Sequence, residues 1–204
     1  MRLADRRSTA VVLIEFQNIW TRPGLYNALI GGELRKRGSV ANAERLTRAA
    51  RKAGVAVVHA PLVVDPKNKR GAFAHLTLGL AFRKGTPAAE IEQRVYEPTD
   101  LVVTGRTAFD AFVGSDMEAV LRTAGFQTLL FGGFATDQCV GKTMVTANRK
   151  GFDSWMVTDS CATFGPAFHR GAENRFAGRV IDTNEAVSAL EALEARREPA
   201  LARA

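Results

Sequence analysis

The run Ala10-Val11-Val12-Leu13-Ile14 constrains this chain more than any other stretch. Five apolar residues stand in a row, three of them β-branched. A half-exposed strand would alternate with polar residues, so this run reads as a strand covered on both faces. Helices must supply the cover. Val40, Ala43, Leu46, Ala50 and Ala53 recur on one face of a segment that starts at Ser39 as N-cap and stops at Gly54. Val55 to His59 is then a second buried run. Strand, helix and strand in that order make a βαβ unit, hence a parallel sheet with a right-handed crossover.

The alternation continues. Leu101 to Thr104, Gln127 to Phe131, Ser154 to Val157 and Arg179 to Ile181 read as further strands. Ser115 to Ala124 carries a capping box (Ser115, Glu118) and a stop at Gly125, Gln138 to Lys150 ends at Gly151, and Pro166 to Phe176 has proline in its first turn. A last helix runs from a cap at Asp182 or Thr183 through Leu193, with Arg196 and Arg197 near its end. The expected architecture is α/β: a three-layer, doubly wound, mainly parallel and Rossmann-like sheet of about six strands, in one domain over residues 1–204.

Two stretches break the pattern. Residues 21–38 show no clear period and read as loop with a helical turn. Residues 61–100 are punctuated by Pro61, Pro66, Pro87 and Pro98, with an apolar, helical patch from His75 to Phe82. A connection this long is a lid or binding loop, or an oligomer contact, and both readings stay open. Residues 198–204 are expected to fray.

Apolar residues make up 46% of the 204, enough for a core without staples. Two cysteines, Cys139 and Cys161, are too few for a disulfide framework or a cysteine-rich metal site. No run approaches the ~20 apolar residues of a membrane span. The basic start, Met1 to Ser8, precedes a short apolar stretch that holds Glu15, so no signal peptide is expected. The expected compartment is a reducing cytoplasm. The net charge of +7 raises the question of nucleic acid. The arginines, however, are spread along helix faces, with one short cluster at Lys67, Lys69 and Arg70, and no zinc-finger spacing or aromatic RNA-binding signature is present. The expectation is a small-molecule substrate with a bias toward anions, no nucleic acid and no membrane.

Open α/β sheets bind ligands at the C-terminal ends of their strands. Three reactive side chains stand there: Glu15, Arg106 and Cys139. Cys139 follows Gly132-Gly133 and falls where a strand turns into a helix. Unpaired backbone N–H groups at such a point favour a thiolate and can later hold an oxyanion. Alkylation well below the ~8.5 of a free thiol is therefore expected. The competing reading is one more buried small residue. A carboxylate, a cation and a thiol suit nucleophilic acyl transfer. A dinucleotide site is disfavoured, because Glu15-Phe16-Gln17-Asn18 follows the first strand instead of a glycine fingerprint.

At this point four segments resemble the isochorismatase-like cysteine hydrolases, which include nicotinamidases, carbamoylsarcosine amidases and biuret hydrolases. They are VVLIEFQNIW (11–20), GRTAFDAF (105–112), GFATDQCV (133–140) and TDSCATFGPAFH (158–169), in the family's order and spanning nearly the whole chain. The resemblance implies that Cys139 is the nucleophile, with an oxyanion hole from the N–H groups of Ala135 and Cys139 and a cis peptide before Ala135. It implies a homo-oligomer, dimer or tetramer. The family's aspartate is Glu15 here and its lysine is Arg106, so charge is kept while reach changes. The implied reaction is hydrolysis of a C–N bond in a small amide. The alternatives are vinyl-ether or ester hydrolysis, or an inactive binding or assembly scaffold.

Gln17, Trp20, Tyr26, Phe82, Phe109 and Thr136 are candidates for the substrate pocket, with core packing as the competing reading for the aromatic ones. Gln17 and Asn18 are also placed to orient Glu15 or its loop. Some relatives bind a divalent metal; His59, Asp65 and His75 lack the required spacing, so no metal and no other cofactor is expected. His59, His169 and Cys161 read as structural.

Overall fold

The computed structural model describes residues 1, 3–68 and 70–196. Lys69 of the basic cluster, Arg197 and the tail expected to fray lie outside these residues. The strands are β1 (Thr9–Ile14), β2 (Ala56–Ala60), β3 (Leu101–Val102), β4 (Thr128–Phe134), β5 (Asp153–Ala162) and β6 (Val180–Ile181). The helices are α1 (Asn18–Thr21), α2 (Leu25–Arg37), α3 (Ser39–Lys52), α4 (Ala72–Leu76), α5 (Met117–Thr123), α6 (Gly141–Arg149), α7 (Pro166–Arg175) and α8 (Thr183–Ala195).

All strand pairs are parallel, in the order β3-β2-β1-β4-β5-β6. The chain therefore winds outward from β1 in one direction and from β4 in the other, as a doubly wound α/β sheet does. The order reverses between β1 and β4, and a crevice opens at such a switch point. Every residue of β1 is buried, as its unbroken apolar run requires. No helix among the described residues is long and apolar enough to cross a membrane.

Several local expectations are corrected. Residues 25–37 form a full helix, α2, which ends at Gly38 in the left-handed conformation (φ 65°, ψ 30°). Gly38, not Ser39, occupies the cap position of α3, and the Ser39 hydroxyl donates to the Cys161 carbonyl (2.9 Å). The box expected at Ser115 and Glu118 does not form. Helix α5 starts at Met117, and the Asp116 carboxylate turns back to accept from the N–H and hydroxyl of Thr104 (2.8 and 2.7 Å). A reciprocal box does form at Asp182 and Glu185. Strand β3 is only two residues long, whereas β5 runs on through Asp159 and Ser160 to Ala162. In the patch expected to be helical from His75 to Phe82, α4 stops at Leu76, and Leu76, Leu78 and Leu80 face outward.

Candidate active site

Glu15 stands one residue past β1. Its φ of 55° lies in the left-handed region, which a residue with a Cβ rarely occupies. The Glu15 N–H donates to the Ala60 carbonyl (3.3 Å), and the Glu15 carbonyl accepts from the Gln17 N–H (2.7 Å), which pins this conformation from both sides. Backbone held in so sparse a region clusters at functional sites. The carboxylate is buried and held at both oxygens. Oε1 accepts from Arg106 Nη2 (2.6 Å), and Oε2 accepts from the Trp20 indole N–H (3.1 Å).

Arg106 sits in the segment after β3. Neither side chain of the Glu15–Arg106 pair is exposed. Two charges so deeply buried are tolerable only when their remaining hydrogen-bonding groups are also satisfied. Arg106 meets this with Nε donating to the Ala108 carbonyl (2.9 Å), Nη1 to the Ala60 carbonyl (3.0 Å) and Nη2 to the Phe109 carbonyl (2.7 Å). The same segment is tied to α6. The Ala111 N–H donates to Thr143 Oγ1 (2.9 Å), Thr146 donates to Asp110 (2.7 Å), and the Thr143 hydroxyl donates to the Cys139 carbonyl (2.6 Å). The element bearing the cation and the turn bearing the thiol are thus fixed to each other.

The thiol arrives from β4. Gly133 has φ 134°, and a Cβ there would stand 2.0 Å from the Ile14 carbonyl oxygen. Only glycine lets the end of β4 lie this close to the end of β1. The Phe134–Ala135 peptide is cis. Thr136–Val140 then forms a single π-helical turn, a form frequent at functional sites, before α6 begins. Thr136 anchors this turn to α7 through His169. Thr158 gives its hydroxyl proton to Glu173 (2.6 Å), so it accepts from His169 Nε2 (2.8 Å), which leaves Nδ1 to accept from Thr136 (3.0 Å). Burial, with the nearby Arg37 charge, lowers the His169 imidazole to about 4, so it is neutral in this relay.

Cys139 is 3% exposed. Its thiol lies among Glu15, Arg106 and the backbone of Ala135, the groups that act on its proton. Burial above all, and then the Glu15 charge, push the thiol well above its ordinary range, against the opposing pull of Arg106. The direction runs against the expectation of a resting thiolate: burial first, and the carboxylate next, disfavour the charged form of the sulfur. Cys161 pairs with Gly133 across the sheet, directs its thiol to the Val157 carbonyl (3.4 Å), and is pushed up to about 12 by burial.

The remaining candidates separate into two groups. Trp20, Tyr26, Phe82 and Phe109 belong to one aromatic cluster, with centroid separations of 5.3 Å for Trp20–Tyr26 and 5.6 Å for Tyr26–Phe82. Phe73, which carries no signal in the sequence beyond its apolarity, joins Phe82 (5.5 Å) to Phe109 (4.7 Å). Gln17 and Thr136 are fully buried and engaged elsewhere. The Gln17 amide accepts from the Leu62 N–H (2.8 Å) and donates to the Leu62 and Ala89 carbonyls (3.0 and 2.7 Å). That stitches two points of the irregular segment to the turn after β1, and Asn18 donates to the Pro87 carbonyl in the same way (2.8 Å). A cavity of about 730 Å³ opens beside Arg106, with Leu62, Arg70, Phe73 and Lys84 in its walls. No group of three or more His, Cys, Asp or Glu side chains among the described residues is arranged to hold a metal ion. His59 instead hydrogen-bonds to Asp100 (3.0 Å), and Asp65 faces Lys84 (3.7 Å).

Residues 9–185 match the isochorismatase domain family. The chain is 28% identical over 200 residues to the ureidoacrylate amidohydrolase RutB of Rhizobium rhizogenes, covering 87% of this chain and 81% of that protein. It is 29% identical over 221 residues to the protein of the same name in Methylorubrum extorquens, covering 96% and 88%. Among solved structures, it resembles a cysteine hydrolase from Pseudomonas syringae pv. phaseolicola with a TM-score of 0.82 at 20% identity, covering 93% of this chain and 95% of that one. It also resembles the N-carbamoylsarcosine amidase of Thermoplasma acidophilum, with a TM-score of 0.71 at 22% identity and coverage of 86% and 96%.

Proposed function

The chain belongs to the isochorismatase family, and from that premise we propose that it hydrolyses a C–N bond of a small amide through a thioester on Cys139. The observation that carries this reading is the buried Glu15 carboxylate, which acts on the Cys139 thiol and is paired at 2.6 Å with Arg106.

In this mechanism the Cys139 sulfur attacks the amide carbonyl while its proton passes to Glu15. Proton transfer and bond formation go together, because burial disfavours a free thiolate. The carbonyl oxygen becomes an oxyanion held by the N–H groups of Ala135 and Cys139. Glu15 then gives its proton to the leaving nitrogen, the C–N bond breaks, and ammonia or an amine departs from the thioester. Water enters, Glu15 takes one of its protons, and the hydroxide oxygen attacks the thioester carbon. The carboxylic product leaves, and the proton returns to sulfur. Arg106 pairs with the Glu15 carboxylate throughout and holds its plane.

Ureidoacrylate is the first compound to assay, since relatives bearing that name share 28% and 29% identity with this chain. The test is ammonia release from ureidoacrylate and a panel of small amides by the parent and by Cys139→Ala. Turnover in the parent with a loss of at least about 10⁴-fold in the variant is expected. Turnover that survives the substitution contradicts the nucleophile assignment.

The working form is a cytoplasmic homo-oligomer. Support comes from Leu25, Leu76, Leu78 and Leu80, each more than 70% exposed in the single chain. Sedimentation equilibrium showing only monomer at micromolar concentration counts against it.

A further inference from the structure

We propose that Trp20 is a positioning residue that holds Glu15 where its carboxylate meets the Cys139 thiol. The inference rests on the role proposed for Glu15 and goes beyond it.

Glutamate brings one more rotatable bond to this position than aspartate would, and therefore more ways to miss the thiol. A salt bridge to one oxygen leaves the carboxylate free to swing about that contact. Here the second oxygen is also held. Arg106 takes Oε1 at 2.6 Å and the Trp20 indole N–H takes Oε2 at 3.1 Å, both in buried surroundings. Two donors on two oxygens fix the plane of the group, and each oxygen keeps a lone pair for a proton in transit. Phenylalanine would fill much of the same space without this donor.

The indole is itself braced. Trp20 is 5% exposed and meets Tyr26 edge-on at 5.3 Å and Phe82 at 6.0 Å. Its backbone N–H donates to the Gln17 carbonyl (3.0 Å) and its carbonyl accepts from Asn27 (2.6 Å), which ties α1 to α2. A ring so confined has little freedom to stack on a substrate. That distinguishes a clamp on the acid from a wall of the pocket.

The test is a double-mutant cycle of Trp20→Phe and Glu15→Asp, with Glu15→Gln as reference. The first readout is the pH midpoint of Cys139 alkylation by iodoacetamide, followed by peptide mass spectrometry. The charged groups facing the thiol are Glu15 from the end of β1 and Arg106 from the segment after β3. The nearest cation on the following helix, Lys142, lies 4.5 Å over the Phe109 ring. Glu15→Gln is expected to lower the midpoint, and Trp20→Phe to lower it part of the way, because a loosened carboxylate stabilises the thiol less. The second readout is turnover of the amide that the parent hydrolyses. Trp20→Phe is expected to lower kcat about ten-fold with KM within about two-fold in the Glu15 background. It should change kcat by less than about two-fold in the Glu15→Asp background, where the shorter acid does not reach the indole.

A raised KM at unchanged kcat, equal losses in both backgrounds, or a midpoint that moves with Glu15→Gln and not with Trp20→Phe overturns the clamp. A midpoint that does not move even with Glu15→Gln overturns the proposed role of Glu15 and the clamp with it.

Discussion

Arg106 shows why charge alone is an incomplete description of this site. Its guanidinium makes four hydrogen bonds, to Glu15 and to the carbonyls of Ala60, Ala108 and Phe109. Lysine carries the same charge on a single nitrogen and cannot span all four. Arg106→Lys is therefore expected to lower stability by about 2–3 kcal/mol, since buried acceptors lose their donors. Urea denaturation read against the parent checks this, and a change below about 0.5 kcal/mol would place those acceptors in contact with water. The positions of Glu15, Arg106 and Cys139 were legible because each follows an apolar run at a strand's C-terminal end. The protonation of the thiol was not. A linear sequence shows that a cation is available and does not show how deeply the sulfur is buried beside a carboxylate. The Trp20–Glu15 hydrogen bond was hidden for the same reason, because it depends on a left-handed Glu15 backbone that no local pattern announces.

At the scale of elements, helices and strands with a regular apolar period were legible and those without one were not. Helix α2 carries no clear period in the sequence because its apolar residues do not share one face: Leu25 and Leu29 are exposed while Ile30 and Leu34 are buried. Strand β5 outruns its apolar signal because Asp159 and Ser160 look like its end. Their side chains instead meet the start of α8, with Asp159 accepting from the Thr183 N–H (2.8 Å) and Ser160 bonded to the Thr183 hydroxyl (3.1 Å). The junction of β1 and β4 depends on Gly133. Gly133→Ala is expected to destabilise by about 3 kcal/mol or more, through backbone overlap with Ile14 and loss of a positive φ. A thermal midpoint unchanged by this substitution would contradict the close approach. Near the short edge strand β3, Arg51 makes a two-pronged contact with Asp100 (3.1 and 2.6 Å), which also meets His59. Burial alone would raise the Asp100 carboxyl, but the hydrogen bonds from His59 and Arg51 outweigh it and hold the group at about 2. Its folded value is depressed, so its contribution is complete above the unfolded value near ~4 and is lost as pH falls toward ~2. Asp100→Asn should remove about 1–2 kcal/mol at pH 7 and flatten that acid limb, measured by denaturation between pH 2 and 5.

At the scale of the whole molecule, the doubly wound sheet followed from the first βαβ unit, and its reversal between β1 and β4 explains why the site lies where it does. The order of strands was not legible, since pairing between distant segments leaves no local mark. The relay behind the site adds a second dependence on pH. Burial keeps His169 neutral and lowers it to about 4, whereas the unfolded chain protonates near ~6.5. Stability is therefore full above ~6.5 and falls as pH drops toward ~4, by about 2 kcal/mol, because the unfolded state takes up the proton first. His169→Asn should lose this slope, and a slope that persists in the variant would assign it to other groups. The central claim is that Cys139 rests as a thiol whose proton is destined for Glu15. It is tested most directly by the pH dependence of Cys139 alkylation in the parent and in Glu15→Gln, with Cys161 resolved separately by mass. A midpoint above that of a free cysteine is expected in the parent, moving down in Glu15→Gln while Cys161 stays unreactive. A parent midpoint below that of a free cysteine, or one indifferent to Glu15, would contradict it.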